Sequence, residues 1–515
     1  MEKFANEKYA DYSKKEVFDR QKDALNKVNA LLGKEYPNYI DGKEVYTDRK
    51  TRSINPGNVD EVIGIFQKSG KEDAEKAIQA AAKAFKTWKK VPVEERAQYL
   101  FKAAEIIRSR KPEIIAWMIK EEGKSYIESD ADVSEGLDFL GFYGREALRY
   151  AEKQPVTEWP GEENEYFYEP LGVGIVIPPW NFPFAIMMGM TVAALVTGNT
   201  VVLKPSSDAP MMAWLFCDIM RGLGLPDGVL NYLVASGSEA GDYLVEHPLT
   251  RFISFTGSME VGLRINELAA KKQPGQIWIK RVVAEMGGKD SIIVDSEADV
   301  ADAAKGVALS AFGFQGQKCS ACSRAIVDEK VYDKFVELLK KEVEPMKSGL
   351  PEDNFYCGPV INETAEKNIL KYIEIGKKEG KLIIGGEKVP GLNGYYIKPT
   401  VFIDIDPMAR LSQEEIFGPV LSVIKAKDYD DALNIANNTQ YGLTGAVYSL
   451  NDEKIERARH EFHVGNLYLN RKCTGAMVSV QPFGGFNMSG TDSKAGGRDY
   501  LILFMQAKSV AKKIL

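Results

Sequence analysis

Residues 171–203 read LGVGIVIPPWNFPFAIMMGMTVAALVTGNTVVL and contain no charged side chain. An uncharged run of this length is compatible with a membrane span. However, proline, asparagine and glycine interrupt it at positions 178, 179, 181, 183, 198 and 199, and such residues break a continuous helix. The pattern therefore favours a buried strand, a loop, a buried helix and a second buried strand over a membrane span.

Apolar strands and helices alternate beyond this run, in two series that meet near residues 284–288. Strands that alternate with helices predict parallel, doubly wound sheets, whose ligands bind at the carboxyl ends of the strands. The sequence therefore predicts two doubly wound α/β domains. The predicted strands cover residues 172–177, 200–203, 229–234, 251–255, 291–294 and 324–327.

Three other regions have distinct patterns. Residues 39–45 predict a hairpin around an Asp-Gly turn. Residues 71–122 are predicted to be largely helical, with a break near Pro112. Residues 156–169 and 499–515 are strand-like but lie outside the alternation of strands and helices.

Composition limits the function classes. The 515 residues have a formal net charge of −7, which gives no electrostatic reason to expect nucleic acid or an anionic membrane as partner. Five cysteines, an odd and sparse number, argue against a disulfide framework and for a reducing compartment, the cytoplasm. With only three histidines, we expect neither a histidine-based triad nor a metal site.

Cys319 and Cys322 lie in the segment FQGQKCSAC, residues 314–322. A cysteine between a glycine turn and a strand can be an exposed nucleophile. The pair can also be a redox Cys-x-x-Cys or half of a zinc site, although the other three cysteines stand alone. A buried structural cysteine is the remaining alternative, and spacing alone does not choose among these.

Glu285 lies between a predicted strand and a turn, where a carboxylate can be a general base or a solvated turn residue. Residues 255–258, FTGS, resemble a phosphate-binding turn but depart from the Gly-x-Gly-x-x-Gly pattern. Lys204, at the end of a strand, can bind a ribose or phosphate or be a surface lysine. Each signal is weak alone.

Together, the motifs resemble the aldehyde dehydrogenase superfamily in order and spacing, from about residue 39 onward. This resemblance predicts an aldehyde dehydrogenase-like α/β fold. The motifs are PPWNFP at 178–183, KPS at 204–206, FTGS at 255–258, EMGGK at 285–289, GQKC at 316–319, EIFGP at 415–419 and PFGG at 482–485.

The resemblance implies the roles of three catalytic residues. Cys319 matches the nucleophile, whose thiolate attacks the aldehyde and forms a thioester. Asn181 matches the donor that stabilises the oxyanion. Glu285 matches the base that activates water to hydrolyse the thioester. We expect the site to favour the Cys319 thiolate, with help from a nearby nicotinamide cation.

The resemblance also implies NAD as cofactor. Many members that prefer NAD have a glutamate three residues after the lysine, but here Ser207 stands there. Because serine does not repel a 2′-phosphate, we expect NADP to be tolerated. The residues implied in cofactor binding are Ile177, Pro179, Trp180, Lys204, Ser206, Ser207, Gly257, Ser258, Glu415 and Phe417.

Residues 316–324 and 474–478 are similar to the branch of the superfamily that oxidises L-glutamate 5-semialdehyde to L-glutamate, in proline degradation. This similarity implies that Ser320, Gly475 and Ala476 bind the substrate carboxylate. The alternative is a related dehydrogenase that acts on another aldehyde or semialdehyde.

The implied organisation has five parts. The two strand-like segments match the superfamily's β oligomerisation flap, so we expect a homo-oligomer, at least a dimer. The parts are an N-terminal arm with the helical part of the cofactor domain (1–155), the first part of the flap (156–170), the dinucleotide-binding domain (171–284), the catalytic domain (285–485) and the C-terminal part of the flap (486–515).

Overall fold

Two seven-stranded sheets organise the chain, and a computed structural model describes residues 3–514. The strands are β1 Lys34–Tyr36, β2 Asn38–Ile40, β3 Lys43–Val45, β4 Lys50–Ile54, β5 Val62–Gln67, β6 Glu162–Pro170, β7 Val173–Ile177, β8 Thr200–Leu203, β9 Leu230–Tyr232, β10 Thr250–Thr256, β11 Arg281–Glu285, β12 Ser291–Val294, β13 Arg324–Asp328, β14 Lys381–Ile384, β15 Thr400–Ile403, β16 Val420–Ala426, β17 Tyr441–Gly442, β18 Thr444–Tyr448, β19 Asn466–Leu469, β20 Phe486–Asn487 and β21 Met505–Lys513.

Helices cover both sheets. They are α1 Lys15–Asn29, α2 Lys71–Trp88, α3 Val93–Ser109, α4 Lys111–Glu122, α5 Tyr126–Ala151, α6 Ala185–Val196, α7 Met211–Gly222, α8 Asp242–Glu246, α9 Met259–Ala270, α10 Val300–Phe312, α11 Tyr332–Val343, α12 Glu363–Glu379, α13 Arg410–Gln413, α14 Tyr429–Asn437 and α15 Asp452–Glu461. Short 3-10 helices cover Gly313–Gly316, Pro351–Asp353 and Tyr500–Phe504, and Gly237–Gly241 forms a π-helical turn.

The first sheet has the order β11-β10-β7-β8-β9-β2-β3. Its first five strands are parallel, as the alternation of strands and helices predicted. In this register Ile177 is paired with Phe255, and Thr256 with Glu285. The chain segments that follow β7, β10 and β11 therefore leave the sheet at one edge.

The predicted hairpin at residues 39–45 closes this sheet. Strands β2 and β3 are antiparallel, and the turn residues Asp41 and Gly42 have φ values of 51° and 74°. Both angles lie in the left-handed region that Asp-Gly turns favour.

The second sheet has the order β14-β15-β16-β13-β12-β18-β19, in which only β14 is antiparallel. The predicted strands at 291–294 and 324–327 lie side by side, with Ser291 paired with Arg324. The α/β architecture predicted from the sequence, with two largely parallel sheets, is confirmed.

The uncharged run at residues 171–203 contains β7, α6 and β8, all largely buried. Among residues 3–514, no helix combines the length and apolar character that a bilayer-spanning segment needs. The helical region at 71–122 is divided into α2, α3 and α4, and Pro112 lies in the first turn of α4. A second break, before α3, was not predicted.

Helix α5 was also missed as a distinct element. Its buried face includes Asp130, Asp132 and Asp138. Because carboxylates stand where apolar residues are expected, the helical hydrophobic period is masked.

The two strand-like segments form one antiparallel ribbon, in which β6 and β21 align over nine residue pairs. The ribbon is shorter than predicted at both ends. Residues 156–161 are not strand, and residues 499–504 contain a 3-10 helix. This helix is fixed because Tyr500, Leu501 and Phe504 are buried in the core of the first domain.

Candidate active site

A cleft of about 550 Å³ lies at the carboxyl edge of the first sheet and faces residues 415–417 of the second domain. Its lining includes Asn181, Cys319 and all ten residues that the sequence implied in cofactor binding. Thr256 and Met286, from the motifs FTGS and EMGGK, also line the cleft. The sequence analysis missed further lining residues, which include Asp208, Ser236 and Val261.

The part of the cleft beside β8 and β10 has the features of a dinucleotide site. Ser258 caps α9, accepting a hydrogen bond from the Val261 amide, so the helix N-terminus can bind a phosphate. Lys204 is only 7% exposed, and its ammonium donates only a long bond of 3.4 Å to the Pro205 carbonyl. Burial lowers the Lys204 pKa to about 8. A ligand hydroxyl would satisfy this buried donor.

Glu415 and Phe417 line the opposite wall. The Gly288 amide donates to Glu415 Oε1 at 3.1 Å, and burial raises the Glu415 pKa to about 7. A Cβ at Gly287 would lie 2.1 Å from Glu415 Oε2, so only glycine allows this approach. The Phe417 ring packs edge-on against Trp180, with centroids 5.5 Å apart. These residues fit a buried sugar and a flat ring, and the set as a whole fits a dinucleotide cofactor.

The turn that presents Cys319 is conformationally restricted. Phe314 and Gln315 have positive φ values of 48° and 56°. A Cβ at Gly316 would lie 2.4 Å from the Gly418 carbonyl oxygen. Asn181 Nδ2 donates to the Gln317 carbonyl at 3.0 Å, which ties the loop after β7 to this turn.

The two neighbouring cysteines have different environments. Cys319 lines the cleft, whereas Cys322 is buried in the core of the second domain and contacts the Arg324 carbonyl. Among residues 3–514, no three His, Cys, Asp or Glu side chains form a cluster suited to a metal ion. The geometry therefore distinguishes Cys319 as the thiol that a ligand can reach.

The surroundings of Cys319 differ from the expectation that they favour the thiolate. Burial raises the pKa of this thiol, and Asp290, Glu285 and Glu415 raise it further. Burial disfavours the charged form, and like charges repel it. The thiolate therefore needs a positive charge from a ligand or a proton acceptor in the cleft.

Glu285 ends β11 and turns toward the loop at residues 484–493. Ser493 Oγ donates to its Oε1, and the Gly485 amide donates to its Oε2 at 3.2 Å. Burial raises the Glu285 pKa to about 8. The carboxyl group is close enough to Cys319 for its charge to raise the thiol pKa.

The predicted substrate residues lie beside the nucleophile turn. The Ser320 carbonyl accepts bonds from Thr444 Oγ1 and Cys473 Sγ, each at 3.4 Å. Cys473 is followed by Thr474, Gly475 and Ala476. Gly475 has a φ of 81°, a conformation that favours glycine.

Cationic side chains surround this loop, and the sequence analysis missed them. Arg471 Nη2 donates to the Thr474 and Gly475 carbonyls at 3.0 and 3.3 Å. The charges of Lys318 and Arg471, after burial, lower the Lys472 pKa, so the three cations are neighbours. The one sequence feature that could have indicated these cations is Lys318, which precedes Cys319 directly.

Comparisons with known proteins agree with this geometry. The model of the "Aldehyde dehydrogenase family" matches residues 44–510. The chain is 60% identical over 490 residues to 1-pyrroline-5-carboxylate dehydrogenase of Geobacillus thermodenitrificans, covering 95% of each protein. It is 56% identical over 510 residues to the Bacillus subtilis enzyme of that name, covering 99% of each.

A crystal structure of 1-pyrroline-5-carboxylate dehydrogenase from Thermus, with bound NAD, superposes with a TM-score of 0.98 at 51% identity, covering 100% of both chains. Family match, fold and cleft agree over nearly the whole length. The chain therefore belongs to the aldehyde dehydrogenase family.

Proposed function

We propose that the chain oxidises L-glutamate 5-semialdehyde, the open form of 1-pyrroline-5-carboxylate, to L-glutamate with NAD, as in proline degradation. The observation that supports this substrate best is the loop at residues 473–476. It contacts the nucleophile turn and follows Arg471 and Lys472, with Lys318, paired with Glu128, as a neighbouring cation. A carboxylated aldehyde fits such a loop. The names of the relatives support the same substrate.

The chain's own residues support the first half of the reaction. The Cys319 thiol releases its proton to water in the cleft as its sulfur attacks the aldehyde carbon. The developing oxyanion lies between Asn181 Nδ2 and the Cys319 backbone amide. Asn181 uses one Nδ2 hydrogen on Gln317, so the other remains for the oxyanion. Each such donor contributes roughly 2.7–4 kcal/mol in comparable sites.

Bound NAD supplies the two-electron acceptor that turns the tetrahedral adduct into a thioester. Lys204, Ser206 and Ser207 would lie along its adenosine ribose. Gly257 and Ser258 would hold its pyrophosphate, and Glu415 its nicotinamide ribose. The apolar walls are Ile177, Pro179, Trp180 and Phe417.

Glu285 completes the cycle. As a carboxylate it accepts a proton from water, and the resulting hydroxide attacks the thioester carbon. The C–S bond breaks, the leaving thiolate takes the proton back from Glu285, and L-glutamate leaves. The Cys319 thiol and the Glu285 carboxylate are thereby restored. The chemistry requires no histidine, which agrees with the composition.

The substrate assignment is tested by initial rates of NADH formation. The panel contains pyrroline-5-carboxylate, succinate semialdehyde and propanal. We expect the highest kcat/KM with pyrroline-5-carboxylate, because only it offers an α-carboxylate and α-ammonium. A higher kcat/KM with either other aldehyde would favour the related-dehydrogenase alternative and overturn the assignment.

Ser320→Ala is expected to lower kcat/KM for pyrroline-5-carboxylate by roughly ten- to a hundred-fold, because one charge-assisted hydrogen bond to the carboxylate is lost. Propanal, which lacks that carboxylate, is the control substrate. An equal loss with both substrates would show that Ser320 serves the chemistry rather than the carboxylate.

NAD and NADP are both expected to support turnover, with NAD preferred. Ser207 removes the usual repulsion of a 2′-phosphate, but the Asp208 carboxylate also lines the cleft and disfavours a second anion. The measurement is kcat/KM for each cofactor at saturating pyrroline-5-carboxylate. Absence of turnover at saturating NADP would refute the tolerance.

We further propose that the protein is a homo-oligomer, at least a dimer, built through the β6–β21 ribbon. Most side chains of β21 are exposed in the single chain, and its unpaired edge can add a strand from a neighbour.

Deleting residues 506–515 is expected to give monomers, as measured by light scattering. Residues 500–504 stay, because they pack in the core. A soluble dimer after this deletion would contradict the proposal.

All five cysteines are free thiols. This supports our proposal of a cytoplasmic location, where thiols remain reduced.

A further inference from the structure

Both hydrogen-bond donors to the Glu285 carboxyl group lie far from it in sequence. Ser493 donates its hydroxyl to Oε1 across 208 residues, and the Gly485 amide donates to the other oxygen. The two donors come from opposite ends of the loop at residues 484–493. They hold both oxygens of the carboxyl group at once.

The backbone is closely packed and hydrogen-bonded at both ends of this loop. A Cβ at Gly484 would lie 1.7 Å from the Ser493 carbonyl oxygen, so the loop ends are closely packed. Phe483 and Ala495 exchange two backbone bonds of 2.8 Å. Lys494 Nζ donates to the Gly484 carbonyl at 2.6 Å. These contacts hold the backbone at Ser493 without involving Glu285, and the hydroxyl group itself bonds to Glu285.

The charges that face Glu285 oppose one another. Burial raises the Glu285 pKa and Asp492 raises it further, whereas Lys494 lowers it. Cys319 and Tyr500 also lie within electrostatic reach of the carboxylate. The hydrogen bond from Ser493 is the largest influence that favours the ionised form.

We propose that Ser493 is the positioning residue of the general base, holding Glu285 as an oriented carboxylate for hydrolysis of the thioester. The proposal rests on the proposed function of Glu285. Ser493 touches neither substrate nor cofactor in this role and acts only through Glu285. Loss of Ser493 therefore slows deacylation. The accompanying loss of charge at Glu285 removes one cause that raises the Cys319 pKa, so it does not slow acylation.

Removal of the Ser493 hydroxyl is expected to shift the pH dependence of deacylation. Without the hydroxyl, a buried carboxylate loses a charge-assisted hydrogen bond, so its neutral form becomes favoured. The pH midpoint at which deacylation becomes fast moves upward by about one unit or more. At neutral pH, turnover after the first cycle falls by roughly ten- to a hundred-fold.

The test compares Ser493→Ala, Ser493→Thr and Ser489→Ala in the full-length protein with NAD and pyrroline-5-carboxylate. Ser489 is the matched control, because it is a buried serine of the same loop whose hydroxyl accepts from the Gly442 amide instead. Rapid mixing gives the burst of NADH. Steady-state rates from about pH 6 to about pH 10 give the midpoint.

For Ser493→Ala we expect a full burst, slow turnover and a raised midpoint. Ser493→Thr is expected to restore the midpoint, and Ser489→Ala to keep it. An unchanged midpoint in Ser493→Ala, or an equal shift in Ser489→Ala, would overturn the proposal. If Ser493→Ala is insoluble, Ser493→Cys, a weak donor of similar size, is expected to show the same upward shift, and no shift would overturn the proposal.

Failure of the proposed function gives a different result. If Glu285 is not the base, Glu285→Gln turns over fully. If the substrate is wrong, the unmodified protein gives no burst with pyrroline-5-carboxylate.

Discussion

Cys319→Ala is expected to abolish NADH formation from pyrroline-5-carboxylate, lowering kcat by at least about 10⁴-fold. The reason is that Cys319 is the only cysteine among the described residues that line the cleft. Without it no covalent adduct forms. The measurement is the initial rate at saturating substrate, together with NAD binding by calorimetry to show that the cleft is intact.

Cys322→Ala is the matched control, three residues away. Cys322 is buried among apolar side chains of the second domain. Its replacement therefore removes packing contacts but no group that takes part in the reaction. We expect this variant to keep most of the activity. An active Cys319→Ala variant combined with an inactive Cys322→Ala variant would reverse the assignment.

Glu285→Gln is expected to permit acylation and to stall hydrolysis of the thioester. The amide cannot accept a proton from water, so steady-state turnover falls by roughly 10²–10⁴-fold. Rapid mixing should show a burst of NADH close to one per site, followed by a nearly flat line. Full steady-state turnover would reject Glu285 as the base.

The pH profile provides a second check on Glu285. Its pKa is raised to about 8, so the carboxylate form that acts as base is gained as the pH rises through this value. In the unmodified protein, deacylation should therefore accelerate between about pH 7 and about pH 9. In Glu285→Gln this acceleration should be absent.

Much of the fold was predictable because several central strands of the two sheets are short, apolar and buried. Strands β7 and β8 and the helix α6 between them follow from the uncharged run alone. The edge where β7, β8 and β10 end was also predictable, because parallel strands bring their carboxyl ends together. The positions of Lys204, Gly257 and Glu285 at strand ends required no further information.

Other features depend on contacts between residues distant in sequence. The hydrogen bond from Ser493 to Glu285 joins residues 208 positions apart, and no local sequence pattern predicts it. Helix α5 was missed because acidic side chains on its buried face have partners elsewhere, such as Lys124 for Asp132. The raised pKa of Cys319 also depends on the three-dimensional structure, first through burial and then through the neighbouring carboxylates of Asp290, Glu285 and Glu415.

The most direct test of the central claim is mass spectrometry of the trapped intermediate. Glu285→Gln is mixed with NAD and pyrroline-5-carboxylate, quenched in acid and digested. We predict one γ-glutamyl group per chain, attached to the peptide that contains Cys319, and none in the Cys319→Ala/Glu285→Gln double variant. A γ-glutamyl group on Cys322, or no adduct despite NADH formation, would contradict the account.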